Sequence, residues 1–135
     1  MNTLSLLFRT DRFNLSKIDE TFINPCCFGE DLARWLREAL REKKFEVSEP
    51  YQEDWGWELP TKNEGKGYYL CISGNADDER ANSNEGEWRI IIEKRRSIGQ
   101  RLTGKGKIEL RDGMLVSVKK ILEAEPDIRN VHIEP

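Results

Sequence analysis

The sequence predicts an α+β fold: one domain whose largely antiparallel sheet carries two helices on one face. Three observations predict it. Apolar residues recur at helical spacing in two separate stretches, 28–40 and 110–122. Between these stretches they alternate with polar residues in three successive segments divided by turn sequences, as in an antiparallel meander. Short alternating segments near both ends complete the order β-α-β-β-β-α-β.

Each element has its own grounds. Leu4, Leu6 and Phe8 alternate with Ser5, Leu7 and Arg9, a half-buried strand over 3–9. Residues 10–25 scatter Phe13, Leu15, Ile18, Phe22 and Ile23 among polar residues and read as a connection packed on the core. After Pro25, one helical face collects Phe28, Leu32, Trp35, Leu36, Ala39 and Leu40. Glu30 and Asp31 in its first turn, and Arg41, Lys43 and Lys44 in its last, suit the helix macrodipole.

From Phe45 the period becomes two, with Phe45, Val47, Tyr51, Trp55, Trp57 and Leu59 all at odd positions. Pro50 has no N–H to donate and marks an edge, a bulge or a break. The turn sequence TKNEGKG precedes a strand in YYLCISG, and the polar loop NADDERANSNEG precedes another in EWRIIIEKRR. Beyond the basic loop 97–107, Leu110, Met114, Leu115, Val118, Ile121 and Leu122 predict the second helix, which Pro126 stops. Gly113 costs roughly 1 kcal/mol against Ala inside a helix and blurs where this one starts. Ile128, Val131 and Ile133 predict a short last strand.

Composition narrows the classes of function. The 135 residues suit a single domain, 1–135, and 35% are charged against a typical value of about 25%. The core must be lean and the surface ionic. A net charge of −3 sets up no global field toward nucleic acid or a membrane. The N-terminal run is cut short by Arg9, so neither a signal peptide nor a membrane span is expected. Cys26 and Cys27 are adjacent, Cys71 stands apart, and no CxxC spacing exists for zinc. Free thiols in a reducing cytosol, with no metal or cofactor, are the expectation, and with them a cytoplasmic location.

Two stretches could carry function. In YQEDWGWELP, one continuous strand would put Tyr51, Glu53, Trp55 and Trp57 on one face and Gln52, Asp54 and Glu58 on the other. The adjacent acids Glu53 and Asp54 then diverge, which disfavours a catalytic carboxylate pair. Glu53 among aromatics is the unusual feature. Packing, a binding surface made of Tyr51, Glu53, Asp54, Trp55 and Trp57, and a catalytic Glu53 or Asp54 all remain open. The second stretch, KRRSIGQRLTGKGK, holds Arg95, Arg96, Arg101 and Lys105 in a run without acids. It suits a phosphorylated ligand or a nucleic-acid backbone. Its GQRLTGK fits only the first seven positions of a P-loop, with Gly106 where Ser or Thr should hold magnesium. The acidic loop at 75–87 lacks the glycine of a calcium-binding loop, and it is expected to face the basic loop. His132 is the one histidine, on the predicted last strand.

CCFGEDLARWLREAL, EDWGWEL and GEWRIIIEK together resemble a group of small bacterial proteins, over approximately residues 25–95. That resemblance brings no activity and no catalytic residue with it. In size, acidity and α+β character the chain is also generally similar to immunity proteins of toxin systems, an analogy of build alone. The expected function is therefore a cytoplasmic, non-enzymatic protein-binding module, immunity-like in character. Ligand binding through loop 94–107 is the alternative, and a small enzyme using Glu53 or Asp54 comes third. A free sheet edge would also admit a second copy of the chain.

Overall fold

The computed structural model describes residues 3–17, 27–78, 81–95, 98–104 and 107–134. Its elements are β1 (Thr3–Thr10), α1 (Glu30–Glu42), β2 (Glu46–Val47), β3 (Tyr51–Glu53), β4 (Gly56–Asn63), β5 (Lys66–Ala76), β6 (Gly86–Lys94), α2 (Ile98–Thr103), α3 (Gly113–Glu123) and β7 (Arg129–Glu134). The fold is α+β, as the patterning predicts. A single seven-stranded antiparallel sheet runs β2-β4-β5-β6-β1-β7, and β3 pairs with β4 beside β2.

Alternation decides which face is buried. Leu6 and Phe8 of β1, Trp57 and Leu59 of β4, Leu70 and Ile72 of β5, and Trp88, Ile90 and Ile92 of β6 all point inward and are buried. Against them lie Leu32, Ala33, Leu36 and Leu40 of α1 and Met114, Leu115, Val118, Ile121 and Leu122 of α3. Both long helices thus cover the same face of the sheet. Phe13, in the connection after β1, joins this core through an edge-on contact with Trp88 at 6.1 Å between ring centroids. Opposing helix and sheet stripes explain how a lean composition still yields one continuous core.

The structure departs from the sequence pattern at four places. The segment from Phe45 to Leu59 is not one strand. It breaks at 48–50, where Pro50 is buried rather than exposed on an edge. It then reverses at a turn over Asp54–Trp55, so β3 and β4 form a hairpin. β2 and β3 together make an interrupted edge strand along β4, with the Ser48 amide donating to the Pro60 carbonyl at 3.0 Å. Second, α3 begins at Gly113 instead of near Leu110, because Asp112 caps it by accepting from the Met114 and Leu115 amides. A capping carboxylate outweighs one apolar residue, and Leu110 stays exposed. Third, a six-residue helix, α2, interrupts the basic loop. Fourth, the acidic loop does not face that basic loop: Asp77 and Glu85 pair with Arg9, and Glu85 also pairs with Arg129.

The cysteines need a correction as well. Cys27 is disulfide-bonded while Cys71 is free, so cysteine usage no longer argues for a reducing compartment. Cys26 lies outside the described residues. No helix among the described residues is long and apolar enough to cross a membrane.

Candidate functional site

The hairpin at Asp54–Trp55 redistributes the opening aromatic stretch. In its register Tyr51 lies opposite Glu58, Gln52 opposite Trp57, and Glu53 opposite Gly56. A two-residue reversal flips the parity of the chain, so odd residues face outward before it and inward after it. Tyr51 and Glu53 therefore share the outward face with Glu58. Trp57 turns into the core and is 3% exposed, with its indole N–H donating to the Cys27 carbonyl at 3.0 Å. The expected alignment of Glu53 with Trp57 is thus corrected, and Trp57 leaves the candidate surface.

Gly56 makes this reversal possible. Its φ of 157° is one that side-chain-bearing residues rarely adopt, and a Cβ there would lie 2.1 Å from the Ile72 carbonyl oxygen. Trp55, on the turn itself, is 46% exposed, and Tyr51 is 43% exposed. Asp54 is exposed beside Trp55, and its carbonyl oxygen meets the Cys27 sulfur at 3.1 Å. A disulfide sulfur carries no proton, so this is a contact rather than a donated bond.

The other face of the sheet, which neither long helix covers, continues the patch, although it is closed at β1, where Ser5 and Leu7 are buried. One row across it runs Glu58, Cys71, Ile91, Ser5 and Glu134, and the next runs Pro60, Tyr69, Glu93 and Thr3. Several other carboxylates each meet an arginine: Asp77, Glu85, Glu125, Asp127 and Glu134. Glu53, Glu58 and Glu93 form no ion pair among the described residues. The Tyr51 hydroxyl donates to Glu58, a neutral donor that does not cancel the charge.

Local titration reflects that imbalance. The Glu58 carboxyl is raised above its ordinary value, first by burial and then by the negative charge of Glu93. The Cys71 thiol is pushed up to about 12 by burial, with Glu58, Glu93 and Glu53 adding to the effect. A thiol held this firmly protonated is a poor nucleophile. Cys71 therefore reads as a packed sheet residue and not a reactive one.

The remaining candidates fall elsewhere. Arg95 follows β6 and places its guanidinium 5.3 Å from the centroid of the Tyr69 ring. Arg101 is exposed on α2, and Arg96 and Lys105 lie outside the described residues. Residues 99–103 of the P-loop-like stretch are helical, so the stretch does not form the loop between strand and helix that a P-loop requires. His132 is exposed on β7, its Nδ1 2.7 Å from the Asn130 carbonyl. Among the described residues, no group of three or more His, Cys, Asp and Glu is placed to hold a metal. Sequence reasoning missed Glu58 and Glu93 as members of the acidic patch. Their signal, an outward carboxylate on each of two strands, becomes visible only once the register is known. Comparison with family models, curated proteins and solved structures finds no significant match for this chain.

Proposed function

We propose that this protein is a non-enzymatic binding module that receives a cationic segment of a partner protein on its outward sheet face. The observation that carries the reading is the grouping of Glu53, Glu58 and Glu93, without ion-pair partners among the described residues, beside the solvent-open rings of Trp55 and Tyr51. Like charges gathered in one place repel, and an arriving Lys or Arg relieves that repulsion while neutralising several groups together. Exposed Trp and Tyr supply the anchoring area that interface hot spots use, at little cost in side-chain entropy. The rigid sheet beneath holds the patch in place before binding.

An immunity-like role fits this chemistry, since an acidic inhibitor surface suits a basic target. A catalytic Glu53 or Asp54 is less well supported. Neither lines the clefts at Tyr69, Lys66 or Asp112, and the thiol near Glu53, that of Cys71, is held protonated. The test is affinity capture of partner proteins from host lysate with three baits: the native chain, Glu53→Lys with Glu93→Lys, and Lys119→Glu as a remote control. The reading expects a protein retained by the native and control baits and lost by the double variant. Equal retention by all three baits, or none by the native chain, would count against it.

A further inference from the structure

A second site lies at the end of the sheet beside the β4–β5 turn, and of the acidic patch and its two exposed rings it shares only Tyr51. Lys62 and Lys66 flank the β4–β5 turn, and pairing of β5 with β6 brings Lys94 and Arg95 beside them. The Arg95 amide donates to the Gly67 carbonyl at 2.9 Å and fixes this junction. The four cations line one cleft of about 610 Å³, and no carboxylate among the described residues lines it. In a chain with 25 acidic residues, a cleft walled by four cations and no acid is a local reversal of charge. Lys94 is the one of the four held by an acid, its Nζ lying 3.6 Å from Asp112 Oδ2. Lys62, Lys66 and Arg95 form no ion pair among the described residues, although Glu46 lies opposite Lys62 in the sheet.

A second cleft, of about 440 Å³, adjoins the first, and Lys62 and Arg95 line both. Its walls add Tyr51, Tyr69 and Pro60, and also Glu46, which lies opposite Lys62 across the β2–β4 pair. The Arg95 guanidinium lies over the Tyr69 ring at the boundary between them. Cations that end where aromatic side chains begin match a ligand with an anionic part joined to a flat apolar part. We infer that these joined clefts form a nucleoside-phosphate site, with the phosphate among Lys62, Lys66 and Arg95 and the base against Tyr51 and Pro60. An acidic peptide would fill the tyrosine-lined half only with an aromatic side chain placed beside its acids. A strand of nucleic acid and a free nucleotide share the required chemistry, and the experiment separates them.

The probes are a fluorescent eight-nucleotide single-stranded DNA, ADP, and inorganic pyrophosphate as competitor, all with the full chain. Two phosphates neutralised on a single strand predict a salt slope of about −1.4, roughly a sevenfold loss of affinity between about 50 and 200 mM salt. Lys62→Glu with Arg95→Glu changes only exposed side chains and should lower affinity at least tenfold with the circular dichroism unchanged. Tyr51→Ala should weaken DNA or ADP several-fold and leave pyrophosphate competition unaltered. DNA binding without ADP binding assigns the site to a strand, and comparable ADP binding assigns it to a nucleotide; both uphold the inference. No saturable binding of either probe at millimolar concentration would overturn it. So would binding that survives the double charge reversal, or binding for which pyrophosphate competes as well as ADP while Tyr51→Ala does nothing.

Discussion

Trp55 and Trp57 are two residues apart, yet their truncation should have opposite consequences. Trp57 is 3% exposed, packs beneath the sheet and donates its indole N–H to the Cys27 carbonyl. Replacing a buried Trp with Ala costs about 3–5 kcal/mol for lost burial and the cavity left behind. The lost hydrogen bond adds only about 1 kcal/mol, because Gln52 Nε2 also approaches that carbonyl, at 3.5 Å. Trp57→Ala should therefore remove about 4–6 kcal/mol, a large part of what a domain of this size possesses. Trp57→Phe keeps the six-membered ring but loses the N–H and part of the buried volume, so its cost should lie between about 1 kcal/mol and that of Trp57→Ala. Trp55→Ala should change stability by no more than about 0.5 kcal/mol, because its ring is 46% exposed on a turn. Urea unfolding followed by circular dichroism measures all three. Equal losses for Trp55→Ala and Trp57→Ala would refute the hairpin and return both rings to one face.

Other consequences follow from the same geometry. Gly56→Ala should unfold or severely destabilise the chain in thermal melts, because its Cβ would meet the Ile72 carbonyl at 2.1 Å and its φ is 157°. Burial and Glu93 raise the folded-state pKa of Glu58, so the folded chain holds this proton more tightly than the unfolded chain. Stability should then fall as pH rises from the ordinary Glu value, about 4.3, through the raised folded value, and Glu58→Gln should remove that slope in melts across the acid range. Cys71, with its thiol pushed up to about 12, should react with iodoacetamide near pH 8. Its rate should be at least about a hundredfold slower than a free thiol's, by mass spectrometry. Asp112→Ala should cost about 1–2 kcal/mol in urea unfolding, because it removes the α3 cap and the acceptor of the Tyr68 hydroxyl bond at 2.9 Å.

Residues whose environment repeats with a regular period were legible in the sequence. The Leu32–Leu36–Leu40 stripe needs only a helix with one buried side, and Trp88–Ile90–Ile92 only a strand with one. The reversal at Asp54–Trp55 was not, because Trp55 and Trp57 continue the odd-numbered aromatic series of a single strand. Gly56 was the available signal: it points to close backbone approach, but its spacing does not say that the chain turns there. Asp112 carried a readable cap signal that the apolar Leu110 masked. The acidic patch depends on register, since Glu58 and Glu93 sit on strands separated by β5. Lys62 and Lys66 likewise come from a turn distant in sequence from Arg95, and only sheet pairing joins them. The Cys27 disulfide was not expected from adjacent cysteines, whose pairing requires strained geometry.

The central claim is that the carboxylates around Tyr51 and Trp55 await a cationic group. It is tested most directly by a two-dimensional NMR titration of the labelled chain with an arginine-rich peptide and a glutamate-rich peptide of equal length. The account predicts saturable shifts at Tyr51, Glu53, Trp55, Glu58 and Glu93 with the arginine peptide alone, abolished when Glu53, Glu58 and Glu93 become Gln. Shifts confined to other surfaces, or undiminished in that triple variant, would contradict it.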